Sequence, residues 1–220
     1  MGGPFKRTGK RVLVALDPAE REVLARLLGD VRSMLDGGAD GVDGPSGAAG
    51  GAAPRERDPL ADLVGVDEDW LAAVEAGATG SGEPLDTRTA AERFDDPAVA
   101  RLLPDANRED PKAAAEFRRL TESGLRSRKR ATLDRAREAL GRPDPVLLEA
   151  DEAQALLKGL TDVRLVVAER LGLRTDEDAE AVHAVLAASG GDSDEPWVVM
   201  AALYDELTWW QEALVRELPR

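Results

Sequence analysis

The sequence predicts a mainly α-helical protein: a multi-helix bundle with one small two-stranded β-sheet. Three observations point there. Asp-Pro pairs recur at Asp17-Pro18, Asp58-Pro59, Asp96-Pro97 and Asp110-Pro111. In each pair the aspartate can accept from an orphan backbone N–H, and the proline has no N–H to lose at the first helical position. Behind these signals, leucine, valine and alanine repeat at helical spacing. Strand-like runs are confined to two short segments, about 11–16 and 146–149, which are expected to pair with each other.

Along the chain, Arg11 to Leu16 read as the first strand. Asp17, Pro18 and Glu20 then form a capping box for a helix whose apolar side holds Val23, Leu24, Leu27, Val31, Met34 and Leu35, with Gly37-Gly38 as its stop. Residues 36–57 are Gly, Ala, Asp, Ser and Pro with almost nothing to bury, and are expected to be a disordered internal linker within a single helical domain of residues 1–220. Leu60 to Val74 suggest two short helices, and 77–90 a loose stretch. A short helix follows from Pro97 to Leu103, stopped by Pro104, and then the longest helix, 110 to about 140, which Gly124 could interrupt. Pro145 to Ala150 read as the second strand, with Asp151 opening a helix to Leu171. Leu165 and Val166 fall off its apolar stripe, so burial on more than one side is expected. Thr175 and Asp178 start a helix to Ala188. The last helix, Glu195 to Leu218, directs Val199, Leu203, Leu207, Trp210, Leu214 and Leu218 one way.

Composition removes several classes of function. Cysteine is absent, which excludes disulfides, thiolate nucleophiles and cysteine-type zinc sites, and His183 is the single histidine. It sits among Ala179, Val182, Val185 and Leu186 and is expected to be a partly buried packing residue. Thr8-Gly9-Lys10-Arg11 lacks the upstream glycine of a phosphate loop and precedes a strand instead of following one. Asp36, Asp40 and Asp43 do not have calcium-loop spacing. No catalytic residue, metal site or cofactor is therefore expected. No apolar run approaches a membrane span, and the run after the basic N-terminus, Val12 to Leu16, is short for a signal peptide; the expected compartment is the cytoplasm.

Charge is the more informative feature. The chain carries 29 Lys and Arg against 43 Asp and Glu, a net charge of −14. Residues 118–142 run against that trend, with nine cations and three acids, a net of +6. At 100° per residue Lys112, Arg119, Arg126, Arg130 and Arg137 fall within about 40° of one another, a basic stripe about 37 Å long on a continuous helix. The stripe is either a solvated face, a face neutralised by the chain's own acids, or a docking surface for an acidic partner. Arg164 projects near an apolar stripe and calls for a structural partner such as Asp205. Trp209 lies off its helix's apolar side, beside Asp205, Glu212 and Arg216, and either caps a neighbouring helix or serves as an exposed anchor.

Four stretches together carry a family resemblance: Asp96 to Asp105; Glu116 to Glu122 with Leu125-Arg126; Leu160 to Leu165 with Arg170 to Gly172; and Tyr204 to Glu212. They resemble the actinobacterial AosR family, catalogued as a domain of unknown function and described as oxidative-stress regulators. The resemblance implies a cytoplasmic protein that adjusts transcription through a protein partner such as a sigma factor. That family is built around a pair of switching cysteines, which this sequence lacks, so fold and broad role carry over and the sensing residues do not.

The leading functional expectation is a non-enzymatic regulatory protein that binds another protein through Lys112, Arg119, Arg126, Arg130, Arg137 and Trp209. The alternative is a nucleic-acid-binding regulator using the arginine-rich face. A helix-turn-helix drawn from 96–103 and 110–140 fits poorly, because its second helix begins with Asp-Pro-Lys-Ala-Ala-Ala-Glu where base-reading residues should cluster. A hydrolase built on buried carboxylates has no sequence feature in its favour.

Overall fold

Capping and hydrophobic spacing organise the chain as the sequence suggests, in a computed structural model that describes residues 3–36, 86–107, 109–189 and 195–218. The expected helices within 60–74 and nearly all of the proposed linker lie outside these residues. In chain order the described elements are β1 (Phe5–Thr8), β2 (Arg11–Val14), α1 (Pro18–Met34), α2 (Ala90–Arg93), α3 (Pro97–Leu102), α4 (Pro111–Leu140), β3 (Leu147–Leu148), α5 (Ala150–Leu171), α6 (Asp176–Ser189) and α7 (Pro196–Glu217). The class is mainly α with a small antiparallel sheet.

The sheet has three strands, in the order β1-β2-β3, where two were expected. The expected pairing is present: Val12 lies opposite Leu148 and Leu13 opposite Leu147, and the Val14 amide donates to the Val146 carbonyl at 3.0 Å. The added strand is β1, paired with β2 from Phe5 opposite Val14 to Thr8 opposite Arg11. The stretch Thr8-Gly9-Lys10-Arg11 is the hairpin turn between them. Gly9, at φ +66°, takes the left-handed conformation that a two-residue hairpin needs at its first turn position.

Helix starts follow the cap chemistry. Asp17 accepts from the Glu20 amide at 2.9 Å while Glu20 accepts from the Asp17 amide at 2.7 Å. Asp96 accepts from the Ala98 amide, and Asp110 from the amides of Lys112 and Ala113. α5 starts earlier than expected, at Ala150, because Glu149 and not Asp151 forms the capping box, with Glu152. α4 runs unbroken through Gly124.

α5 is the central element: α1, α3, α4 and α7 all pack against it, as do β2 and β3. Its buried residues spread around the helix, from Ala153 and Ala155 through Leu156, Leu160 and Val163 to Val167 and Ala168. α1 contributes Leu24, Leu28, Val31 and Leu35; Val23, expected inside, is exposed. α7 changes its buried side along its length. Leu207, Trp210 and Leu214 enter the main core, but near its start Val198 and Ala201 are buried and Val199 is exposed. The cause is α6, whose Val182 joins Ala201, Ala168 and Leu173 in a second, smaller cluster.

α1 and α5 approach each other closely at Gly159 of α5. A Cβ there would stand 2.6 Å from a Cδ of the fully buried Leu28 of α1. Gly159→Val should therefore cost about 2 kcal/mol by overpacking, with a native-like helical circular dichroism signal. Urea unfolding checks this; a variant as stable as the parent would mean that α1 and α5 are not in close contact there.

Candidate functional site

The basic stripe of α4 faces α1. Arg126, only 9% exposed, donates from Nη1 to the Leu35 carbonyl at 3.1 Å and from Nε to Glu122 at 3.0 Å. Arg130 donates to Asp36 at 2.9 Å, and Arg137 to the Ala25 carbonyl at 3.3 Å. The end of a helix leaves carbonyls without partners and carries partial negative charge, so guanidinium groups there satisfy acceptors and oppose the dipole. Arg126 also lies 5.3 Å from the centre of the Phe94 ring. Three of the five stripe residues thus bond to α1 or the residue pair that follows it. Lys112 and Arg119, nearer the start of α4, remain on the exposed surface, with Arg119 bonded to Glu116 at 2.9 Å.

The stretches that carry the family resemblance meet in space. Arg170 of α5 makes a two-pronged bond to Asp96 at 2.7 and 2.6 Å, and Arg118 of α4 bonds Asp105. Arg93 and Arg126 both hold Glu122. These contacts form an ionic lattice in separate parts: Asp96 ties α3 to α5, and Glu122 ties α2 to α4.

Two buried acids on α5 have cationic partners. Asp162 accepts from Lys129 of α4 at 2.6 Å. Glu169, its side chain 5% exposed, is held by Arg101 of α3 at 2.8 Å and by both Nη atoms of Arg174 at 2.8 and 2.6 Å. Arg164 differs from its expected role as an ion-pair member. Among the described residues it has no carboxylate partner; Nη1 donates to the Gln211 side chain at 2.6 Å, Nη2 to the Tyr204 hydroxyl at 3.3 Å, and its Nε is buried without a partner. Asp205, the partner proposed for it, instead meets His183 at 2.9 Å. His183 is consequently half-exposed, where a packing role was expected, because Val182 takes the inward position on α6.

Two clefts adjoin the Glu169 cluster. A larger one, about 620 Å³, lies between α2, α3, the start of α4 and the end of α5. A smaller one, about 230 Å³, is bordered by Arg101, Thr161, Arg164, Arg174, Thr175 and Tyr204. Of these residues only Arg164 and Thr175 received an individual reading from the sequence, neither as part of a site; Arg101, Thr161 and Tyr204 fall in the stretches of the family resemblance, and the set leaves no local motif.

Trp209 is 45% exposed on α7, on the same side as Asp205 and Glu212, so it does not cap a neighbouring helix in the interior. Among the described residues no group of three or more His, Asp or Glu is placed to hold a metal ion, and no helix is long and apolar enough to cross a membrane. Glu206, on the neighbouring turn of α7, has its carboxyl pushed up by burial and by the nearby charge of Glu20.

The fold and this lattice define a mainly α protein held by ion pairs between helices. The model of the family described as "Domain of unknown function (DUF2017)" matches residues 2–218, and the chain belongs to that family. No curated protein and no solved structure matches it.

Two predictions follow from the ion pairs. Arg126→Ala should cost about 2 kcal/mol in urea unfolding, because it strands the Leu35 carbonyl and weakens the hold on Glu122, whereas Arg119→Ala should change stability by less than about 0.5 kcal/mol. Equal effects would contradict the inward orientation of the stripe.

Acid should unfold the protein through its paired carboxyls. Hydrogen bonds from Arg170 hold the Asp96 carboxyl below its usual range, Arg142 does the same to Glu152, and Arg88 lowers Asp86 to about 2. A carboxyl lowered in the folded state contributes stability above its unfolded value and loses it as pH falls through the folded value. The melting temperature should therefore fall steeply below about pH 4, the unfolded carboxylate range. Asp96→Asn should lower the melting temperature at neutral pH and flatten part of that acid limb. An unchanged acid limb would show that the Asp96–Arg170 pair does not form.

Proposed function

We propose that the chain is a non-enzymatic regulatory protein that acts by docking a protein partner on the outer side of α7, with Trp209 as the anchor. The observation that carries this reading is an exposed tryptophan flanked by Asp205 and Glu212 on a helix whose opposite side is locked into the core. Tryptophan is enriched among the residues that dominate binding energy at interfaces. The net charge of −14 favours a partner with a basic surface around an apolar pocket. Lys112 and Arg119 offer a second, cationic contact region. A nucleic-acid reading has less to stand on, since Arg126, Arg130 and Arg137 are engaged along α1.

The resemblance to the AosR family supports a narrower form of this proposal. In that form the protein works in the cytoplasm, adjusts transcription under oxidative stress, and has a sigma factor as its partner. Without cysteine it does not sense peroxide through a thiol, so any such response reaches it from elsewhere.

Site-specific photo-crosslinking tests the docking face. A benzophenone amino acid at position 212, beside an intact Trp209, should capture one protein other than a second copy of this chain, in the cells from which the sequence comes. Trp209→Ala should abolish that product and leave the melting temperature unchanged. The same product formed from a probe at the exposed Arg135 of α4, or a product indifferent to Trp209→Ala, would refute the assignment.

A further inference from the structure

The smaller cleft departs from the charge of the molecule around it. In a chain of net charge −14, Arg101, Arg164 and Arg174 converge on one recess from α3, α5 and the segment before α6. Two carboxylates stand near them, and both are engaged. Glu169 is bonded to Arg101 and Arg174, and Asp178 accepts from the backbone amides of Arg174 and Thr175 at 2.7 and 2.9 Å. Among the described side chains Arg101 and Arg174 have a carboxylate partner in Glu169, whereas Arg164 has none.

The recess is also rich in donors and poor in acceptors. Arg164 uses Nη1 and Nη2 on Gln211 and Tyr204 and leaves its Nε–H without an acceptor. The Tyr204 hydroxyl accepts from Arg164 and so retains a proton that it gives to no described residue, whereas the Thr175 hydroxyl is taken up by Asp178. An arginine held near the core without a carboxylate is costly unless something else neutralises it. Neutral Gln211 and Tyr204 orient the guanidinium, which also lies 5.2 Å from the centre of the Tyr204 ring, but they do not cancel its charge.

The geometry points to a binding site for a phosphoryl group carried by a small molecule, seated between Arg164, Tyr204 and Arg101. A tetrahedral oxyanion fits donors that approach from three separate helices in three directions better than a planar carboxylate does, and arginine matches phosphate through several parallel hydrogen bonds. The cleft, about 230 Å³, has room for such a group and a few further atoms. This site is separate from the Trp209 docking face, and either assignment can fail without the other.

Calorimetric titration of the full chain with inorganic phosphate, at ionic strength held constant with sodium chloride, tests the proposal. Saturable binding is expected, with acetate at least about tenfold weaker. Arg164→Gln should weaken phosphate binding at least about tenfold, the effect of losing one charge-assisted contact. Arg135→Gln, which removes a surface cation from the distant Asp151 pair, should leave it unchanged. If Arg164→Gln does not fold, Arg164→Lys replaces it: weakened binding supports the site, and unchanged binding overturns it. Absence of saturable phosphate binding, equal affinity for acetate, or equal weakening in Arg135→Gln would each overturn the proposal.

Discussion

A helix surrounded on most sides must bring its polar side chains into the interior, and α5 is such a helix. It lies against α1, α3, α4, α7 and the sheet, yet it carries Asp162, Arg164 and Glu169. Burying a charge is costly unless a partner and hydrogen bonds compensate for it. The neighbouring helices therefore have to deliver cations at fixed places: Lys129 from α4 to Asp162, and Arg101 from α3 to Glu169, joined by Arg174 from beyond the end of α5 itself. These requirements set how α3 and α4 sit on α5 more specifically than an apolar surface could, because leucine and alanine contacts tolerate sliding and a directed, charge-assisted hydrogen bond does not.

Arginine plays a second recurring part at helix ends. Arg126 closes the end of α1, and Arg101 donates to the Leu173 carbonyl just past α5. Arg7 of β1 bonds both the carboxylate and the carbonyl of Glu217 and the carbonyl of Leu218, at the end of α7. Few aromatic residues are present to fill the core, so much of the specificity of helix placement rests on these polar contacts. A consequence for function is that positive charge in the sequence does not translate into positive surface. The α4 stripe is largely occupied within the molecule, whereas Arg164, in a segment with no excess of basic residues, has no carboxylate partner among the described residues.

The parts of the fold governed by local chemistry were legible in the sequence. Asp17, Asp96 and Asp110 mark helix starts because a cap needs only neighbouring residues, and Val12 and Leu148 found each other because both segments are apolar and β-prone. β1 escaped notice for a physical reason: of Phe5, Lys6, Arg7 and Thr8 only Phe5 is buried, so an edge strand with three exposed residues shows no alternation. The buried side of α7 was misread at its start because α6 joins the end of α5 in covering it there, and periodicity within one helix cannot report which neighbour lies over which turn. The stripe of α4 was visible, but its direction was not. A helical wheel shows that five cations share a side without showing that α1 lies beneath them. The Arg101–Arg164–Arg174 cleft was the least legible feature, since its members are 63 and 10 residues apart and meet only through tertiary packing.

If α5 imposes structural partners on its acids while Arg164 is kept for a ligand, the two kinds of charge should respond oppositely to removal. Urea unfolding of Glu169→Gln and Arg164→Met, measured side by side without added phosphate, tests this directly. Glu169→Gln should lose about 3 kcal/mol, because it leaves Arg101 and Arg174 facing each other without a counter-charge. Arg164→Met, which keeps the side-chain length and removes a charge with no described carboxylate partner, should remain within about 1 kcal/mol of the parent or exceed it. A loss in Arg164→Met as large as that in Glu169→Gln would contradict the account, and would make Arg164 one more structural member of the ionic lattice.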